Sequence, residues 1–187
     1  MKKVAIGLGI AGAIIVILGF VGCSQYNGMV SKQEAVKTSW AQVDTVLQSR
    51  ADLVPQLVST VKGYAKHETE VFTMLSEARA HLASAATPKE ALAANQQIST
   101  GMARLIGLAE DNPELKANEN FLTLQAQLEG VQRRIDTERR RYNQSVKDYN
   151  LAIKRFPGAL FAGAMGFTAA DYFKAEQGAQ KAPEVKF

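Results

Sequence analysis

The sequence has little of several residue types on which small functional sites depend. Its 187 residues include one cysteine, two histidines and one tryptophan. A single cysteine excludes an intramolecular disulfide and any multi-cysteine zinc site. No glycine-rich phosphate loop, nucleophile elbow or His-Glu-x-x-His motif occurs, and a net charge of +4 is too small to indicate nucleic-acid binding by itself. We therefore predict a protein that is not an enzyme and holds no cofactor.

Charge is also absent from one long stretch near the amino terminus. No charged residue lies between Lys3 and Lys32, and residues 4–21 carry no polar side chain. As an α-helix, residues 4–21 would be about 27 Å long, close to the thickness of a bilayer's hydrocarbon core. Residues 1–23 are therefore predicted to form a transmembrane anchor or an export signal.

The residues at the end of the apolar stretch are compatible with either cleavage or retention of the segment. Phe20-Val21-Gly22-Cys23 is similar to a bacterial lipobox, in which the cysteine is lipidated after cleavage, although leucine is commoner than phenylalanine at its first position. In the alternative, the segment is retained, because its apolar run exceeds the roughly 7–15 residues of a cleaved signal. Lys2 and Lys3 favour a cytoplasmic amino terminus. The prediction is a single-pass protein of the bacterial inner membrane with an extracytoplasmic domain, or a lipoprotein anchored through Cys23.

The rest of the chain has the apolar periodicity of packed helices. Apolar residues recur at alternating spacings of three and four along residues 26–82 and again along residues 121–156, as in coiled-coil-like packing. No alternating β-branched run indicates a strand. The predicted fold is all-α, an amino-terminal membrane helix followed by an antiparallel four-helix-type bundle.

Capping and breaking residues predict where the helices begin and end. Thr87-Pro88-Lys89-Glu90 and Asn112-Pro113 are helix starts, and Phe156-Pro157-Gly158 is a helix end. A further break is expected near residues 50–53, where Asp52 would cap a new helix, although one long helix kinked at Pro55 is the alternative. The predicted helices are 26–51, 53–83, 88–110 and 113–156.

Several polar residues are candidates for structural or functional sites. Arg50, Glu68 and Glu138 fall on the apolar seams, where paired charges would set the register of the bundle. The two histidines, His67 and His81, lie near glutamates in an order that favours surface pairs over a metal site. A basic cluster on the late helix is a candidate lipid-facing surface, and it consists of Arg133, Arg134, Arg139, Arg140 and Arg141.

Several segments, in order along the chain, resemble the LemA family of bacterial membrane proteins. They are residues 50–58, 60–65, 113–118 and 140–143, together with Tyr149-Asn150, Phe156-Pro157 and Gly166-Phe167. The resemblance assigns residues 24–175 to a LemA-like helical bundle and leaves residues 176–187 as a polar tail. It implies one amino-terminal anchor, no established enzymatic activity and a scaffold or adaptor role, with some relatives in specialised intracellular membrane compartments.

The functional hypothesis is therefore a non-enzymatic, membrane-tethered helical scaffold or adaptor that engages a protein partner at the envelope. Arg50, Asp52, Pro55 and His67 form the candidate partner surface. A lipid-binding or membrane-organising module using the basic cluster is one alternative, and a helical-bundle metalloprotein is another. A homo-oligomer stays open, and no nucleic acid is expected as a partner.

Overall fold

The computed structural model describes residues 2–64 and 68–173, except for the side chains of residues 2–8, 11, 14 and 18. Within these ranges the chain forms six α-helices and no strand. The helices are α1 (Lys2–Lys62), α2 (Thr69–Ser84), α3 (Pro88–Glu110), α4 (Pro113–Lys116), α5 (Glu119–Lys154) and α6 (Gly158–Ala162). The prediction of an all-α fold is confirmed. The predicted polar tail, residues 176–187, lies outside the described residues.

The expected break near residues 50–53 is wrong, because α1 continues through it to Lys62 with Pro55 inside the helix. A proline inside a helix removes one backbone hydrogen bond and costs about 3 kcal/mol. Val54, Leu57 and Val61 follow the seam with at most 2% of their surface exposed. Burying each such side chain contributes about 1.5–3 kcal/mol, so the packing of the seam outweighs the cost of the proline.

The two predicted helix starts are confirmed in detail. Thr87 and Glu90 form a capping box, in which each side chain accepts a hydrogen bond from the other residue's backbone amide. The Asn112 side chain accepts hydrogen bonds from two amides of the first turn of α4, with Pro113 at the first helical position. The helix predicted over residues 113–156 is nevertheless two helices, because Asn118 accepts a hydrogen bond from the Phe121 amide and caps α5.

One compact unit consists of residues 1–39 and 141–187. Its core joins α1 to the end of α5 and to α6 through four buried side chains, with Val36, Phe167 and Ala170 packed around them. The four are Met29, Tyr149, Ile153 and Ala162. The predicted seam stops short of its expected end, since Phe156 is 81% exposed. Helix α5 ends at Lys154, two residues before Phe156, which Pro157 disfavours in a helix.

The second compact unit consists of residues 40–140. It contains the later part of α1, then α2, α3, α4 and the first part of α5. Its helices contribute buried side chains at helical spacing, and those of α2 are Val71, Leu75, Ala78 and Leu82. Gly101 of α3 lies against Leu75, where an added Cβ would be 2.6 Å from the leucine Cδ2. The glycine therefore allows α2 and α3 to approach closely.

The predicted membrane segment is helical but only partly described at the level of side chains. Among the residues that the structure describes, no helix has an apolar stretch long enough to cross a membrane.

Candidate sites at the apolar stretch, the partner surface and the Tyr-Asn pairs

Among the described large side chains of the predicted membrane segment, Val21 is half-buried and five others are exposed. They are Ile10, Ile15, Val16, Ile17 and Phe20, each between 57% and 78% exposed. Consecutive residues 15–17 point in different directions around a helix, so the exposure is not confined to one face. Cys23, the candidate for lipidation, is also exposed. A thiol at this point is accessible to a modifying enzyme.

The structure places the residues of the candidate partner surface on different sides of α1. Arg50 is half-buried and faces α3, where its guanidinium donates hydrogen bonds to Asn95 Oδ1 (3.3 Å) and Ser99 Oγ (2.9 Å). Asp52 and Pro55 are exposed. Two and five residues after Arg50, they lie roughly 140–200° away from it around the helix. His67 lies outside the described residues.

Pro55 lines a groove between α1 and α2, which we call the α1–α2 groove, and Asp52 contacts another of its lining residues, Arg79. Asp52 Oδ1 is 3.6 Å from the guanidinium of Arg79 on α2. Both side chains are about half exposed or more, which limits the ion pair to about 0–1 kcal/mol. The groove is lined by Gln48, Val54, Pro55, Val58, Ser59 and Lys62 of α1 and by Ser76, Arg79, Ala80 and Ala83 of α2. Its α2 side consists mainly of small side chains.

The other charged residues on the seams are less buried than their neighbours. Glu138 is half-buried on α5. Glu68 precedes α2 in the cap position without a side-chain cap hydrogen bond. Of the two histidines, His81 is described and is exposed in the last turn of α2. Among the described residues, no group of three His, Cys, Asp or Glu side chains could hold a metal ion.

The basic cluster is spread around α5. Arg133 and Arg134 are exposed, and the Arg133 guanidinium is 4.0 Å from Glu129. Arg139 is less exposed, with 23% of its side chain accessible and its guanidinium 4.0 Å from Asp136. Arg140 and Arg141 are exposed as well. Because successive residues are 100° apart in a helix, the arginines do not share one direction.

A site that the sequence interpretation missed lies on the last part of α5. Two Tyr-Asn pairs, seven residues apart, hold residues 168–173, which we call the C-terminal strap. The Asn150 side chain exchanges two hydrogen bonds with the backbone of Ala170, both 2.9 Å long. Asn143 does the same with the backbone of Phe173, at 3.0 and 2.7 Å. Each asparagine therefore satisfies one backbone donor and one acceptor of the strap.

The tyrosines of these pairs bind the same segment. The Tyr149 hydroxyl donates to the Thr168 carbonyl at 2.8 Å, and the Tyr142 hydroxyl donates to the Asp171 carbonyl at 3.1 Å. Burial raises the pKa of both phenols above the ordinary value of 10.0, and the negative charge of Asp171 adds to the rise at Tyr142. Both hydroxyls therefore stay protonated as donors at neutral pH. The repeat Tyr142-Asn143 and Tyr149-Asn150 was visible in the sequence, but its backbone partners were not.

The fold and these features define an all-helical protein with an apolar amino-terminal stretch. The sequence pattern of the LemA family matches residues 39–187, and the chain belongs to this family. The chain is also similar to the magnetosome protein MamQ of Magnetospirillum gryphiswaldense, with 21% identity over 201 residues that cover 92% of this chain and 74% of that protein. The magnetosome proteins MamQ 1 and MamQ 2 of Paramagnetospirillum magneticum are each 21% identical over 190 residues, covering 87% of this chain and 70% of theirs. None of these names describes an enzyme.

Proposed function

We propose that this protein is a membrane-tethered helical adaptor that engages a protein partner at the bacterial envelope. The observation that carries the proposal is the continuity of α1. One helix includes the uncharged, outwardly exposed stretch and runs on without a break into residues that pack in a core, such as Met29 and Val36. A helix of this kind has an apolar surface at one end and a folded unit at the other.

The exposed apolar stretch supports a membrane as its environment. Large aliphatic and aromatic side chains on several sides of a helix would each lose about 1.5–3 kcal/mol of burial free energy if they stayed in water. A bilayer buries the apolar side chains on all sides of the helix, whereas packing against a neighbouring helix buries only one face. The relatives named as magnetosome proteins are consistent with a role in organising a cellular structure.

The proposed topology is a single inner-membrane span with the amino terminus in the cytoplasm and the helical domain outside it. Lys2 and Lys3 before the apolar stretch favour this orientation. Lipidation at the exposed Cys23 would replace the span by acyl chains. The point of attachment is nearly the same in both cases, because only Gly22 separates Cys23 from the apolar stretch.

We assign partner binding to the α1–α2 groove and propose a helical segment of another envelope protein as the ligand. Small side chains on α2, such as Ala80 and Ala83, allow a second helix to approach closely. The exposed ion pair between Asp52 and Arg79 at the groove is weak, so either residue can exchange its partner at little cost.

Photo-crosslinking in intact cells tests this assignment. A photoreactive amino acid at Ala83, in the groove, is compared with the same amino acid at Ala93, an exposed alanine of α3 that does not line the groove. We expect a discrete crosslinked product from position 83 that is absent at position 93 and is identified by mass spectrometry. Equal crosslinking at both positions, or none at position 83, would contradict the groove as the contact surface.

A further inference from the structure

We propose that the turn after α5 and the start of α6 insert into the interfacial layer of the membrane that holds α1. Phe156 and Leu160 are the inserting side chains, and the occupant of this surface is lipid. The inference deepens the proposed function and rests on its membrane tether. It adds a second point of membrane contact at residues 156–160, far from α1 in the sequence.

Phe156 and Leu160 are exposed apolar residues, and leaving their side chains in water is energetically unfavourable. They are 81% and 68% exposed, and only three residues separate them. Single exposed apolar residues are common on protein surfaces, whereas two large ones at one turn form a local patch. The residues just before the patch, Lys154 and Arg155, are exposed and basic.

Close packing places this patch beside the end of the apolar stretch. A Cβ atom at Gly22 would lie 3.8 Å from Cε1 of Phe161 in α6. A Cβ atom at Gly158 would lie 2.9 Å from Cε of Met29 and would also clash with the Ala152 carbonyl oxygen. Helix α6 therefore packs tightly on the part of α1 between Gly22 and Met29.

The contact at Gly22, where α6 meets α1, falls at the height of the interfacial layer. Gly22 directly follows residues 4–21, and Met29 lies about 10 Å further along the helix axis. The polar layer on each side of the hydrocarbon core is roughly 5–8 Å thick. Met29 therefore lies beyond this layer, whereas Phe161, which packs at Gly22 and directly follows Leu160, places Leu160 near the start of the layer.

The side chains around the patch have the chemistry of a membrane interface. Tyr26 and Phe167 form a tilted aromatic pair with ring centroids 5.7 Å apart, and Tyr26 is 46% exposed. Aromatic residues are enriched at the boundary between acyl chains and headgroups. Lys154 and Arg155 would meet anionic headgroups there. If Cys23 is lipidated, the membrane surface lies at the same height along α1, next to Gly22. The inference therefore holds for either form of the tether.

Depth-dependent fluorescence quenching tests the inference on the full-length chain. The background carries Trp40→Phe, which removes the only native tryptophan, and Cys23→Ser, which prevents lipidation. Phe156→Trp and Leu160→Trp are compared with Gln144→Trp, an exposed position on α5 about 15 Å before the end of the helix. Each variant is reconstituted into vesicles of phosphatidylcholine and phosphatidylglycerol, with the phosphatidylcholine brominated near the carbonyl end of its acyl chains.

We expect the Phe156→Trp and Leu160→Trp variants to be quenched at least about twofold more strongly than the Gln144→Trp variant. A Phe20→Trp variant reports on the tether separately. If the Phe20→Trp variant is quenched and the two patch variants behave like the Gln144→Trp variant, the interfacial contact is refuted while the tether stands. If the Phe20→Trp variant is also unquenched, the tether is refuted and the inference with it. Blue-shifted but unquenched emission from the patch variants would show a protein covering the patch and would refute lipid as the occupant.

Discussion

Replacing Asn150 by alanine tests the proposed role of the Tyr-Asn pairs. Asn150 is 5% exposed, and its side chain supplies both hydrogen bonds to the backbone of Ala170. The Asn150→Ala variant loses both bonds and leaves one backbone donor and one acceptor of the C-terminal strap without these partners. The strap keeps its contacts with Asn143 and with the two tyrosines, so we expect it to open more often without the whole chain unfolding.

The size of the effect follows from the number of bonds removed. A typical intramolecular hydrogen bond contributes about 1 kcal/mol net, so two bonds contribute about 2 kcal/mol. Since 1.4 kcal/mol corresponds to a factor of ten, residues 168–173 should open about thirtyfold more often. The opening is measured as amide hydrogen exchange of the full-length chain in detergent micelles, followed by mass spectrometry of peptides that contain the strap.

Gln144→Ala is the matched control for this experiment. Gln144 lies on the same part of α5, but its side chain is exposed and its hydrogen bond goes to Asp148 of the same helix. We expect no change in the exchange of the strap for this variant. Unchanged exchange of the strap in Asn150→Ala would refute the role assigned to Asn150. Equally faster exchange throughout the chain would show global destabilisation and would contradict local opening.

Three further predictions concern stability. Gly101→Ala should destabilise the protein by roughly 1–2 kcal/mol in denaturant unfolding, because the added Cβ overlaps the side chain of a buried leucine. Gly107→Ala should instead stabilise it by up to about 1 kcal/mol, because a Cβ added at Gly107 has no atom within 4 Å. The free energy of unfolding should fall as the pH rises above 10. The pKa values of Tyr142 and Tyr149 are raised in the folded protein, so these phenols lose their protons at lower pH in the unfolded chain. Replacing both tyrosines by phenylalanine should weaken this pH dependence. Arg50→Ala should cost about 1–3 kcal/mol, because it removes both hydrogen bonds to α3, and an unchanged midpoint would contradict a role for Arg50 in setting the register.

The periodicity of the sequence predicted many of the residues that form the core, although Tyr26 and Phe156 on the seams are exposed, and it did not predict where the long helix ends. Val43, Leu47 and Val54 are buried as the seam predicts. The break was expected at Asp52 and Pro55 because local capping chemistry and a proline both indicate a helix start. The helix instead ends at Lys62, before Gly63. A glycine just past a helix end is a common stop signal, and it was present in the sequence.

The Tyr-Asn pairs could not be predicted from the sequence for a different physical reason. Asn143 and Asn150 bind backbone atoms, which every residue carries, so the strap has no side-chain pattern that reveals its partner. The seven-residue repeat of Tyr-Asn was the available signal, and it indicated one shared face of α5. Arg50 and Asp52 could have been predicted to lie on different sides of α1, because residues i and i+2 of a helix differ in direction by 200°.

The central claim is that the amino-terminal apolar stretch holds the protein on a membrane, and alkaline carbonate extraction tests it most directly. Membranes containing the full-length chain are washed at alkaline pH, and the chain is quantified in the pellet and the supernatant. We expect the chain to stay in the pellet. A variant with lysine at Ile15, Val16 and Ile17, where each charge costs about 2.5–3.5 kcal/mol at the centre of a bilayer, should move to the supernatant. Release of the unmodified chain, or equal retention of both chains, would contradict the claim.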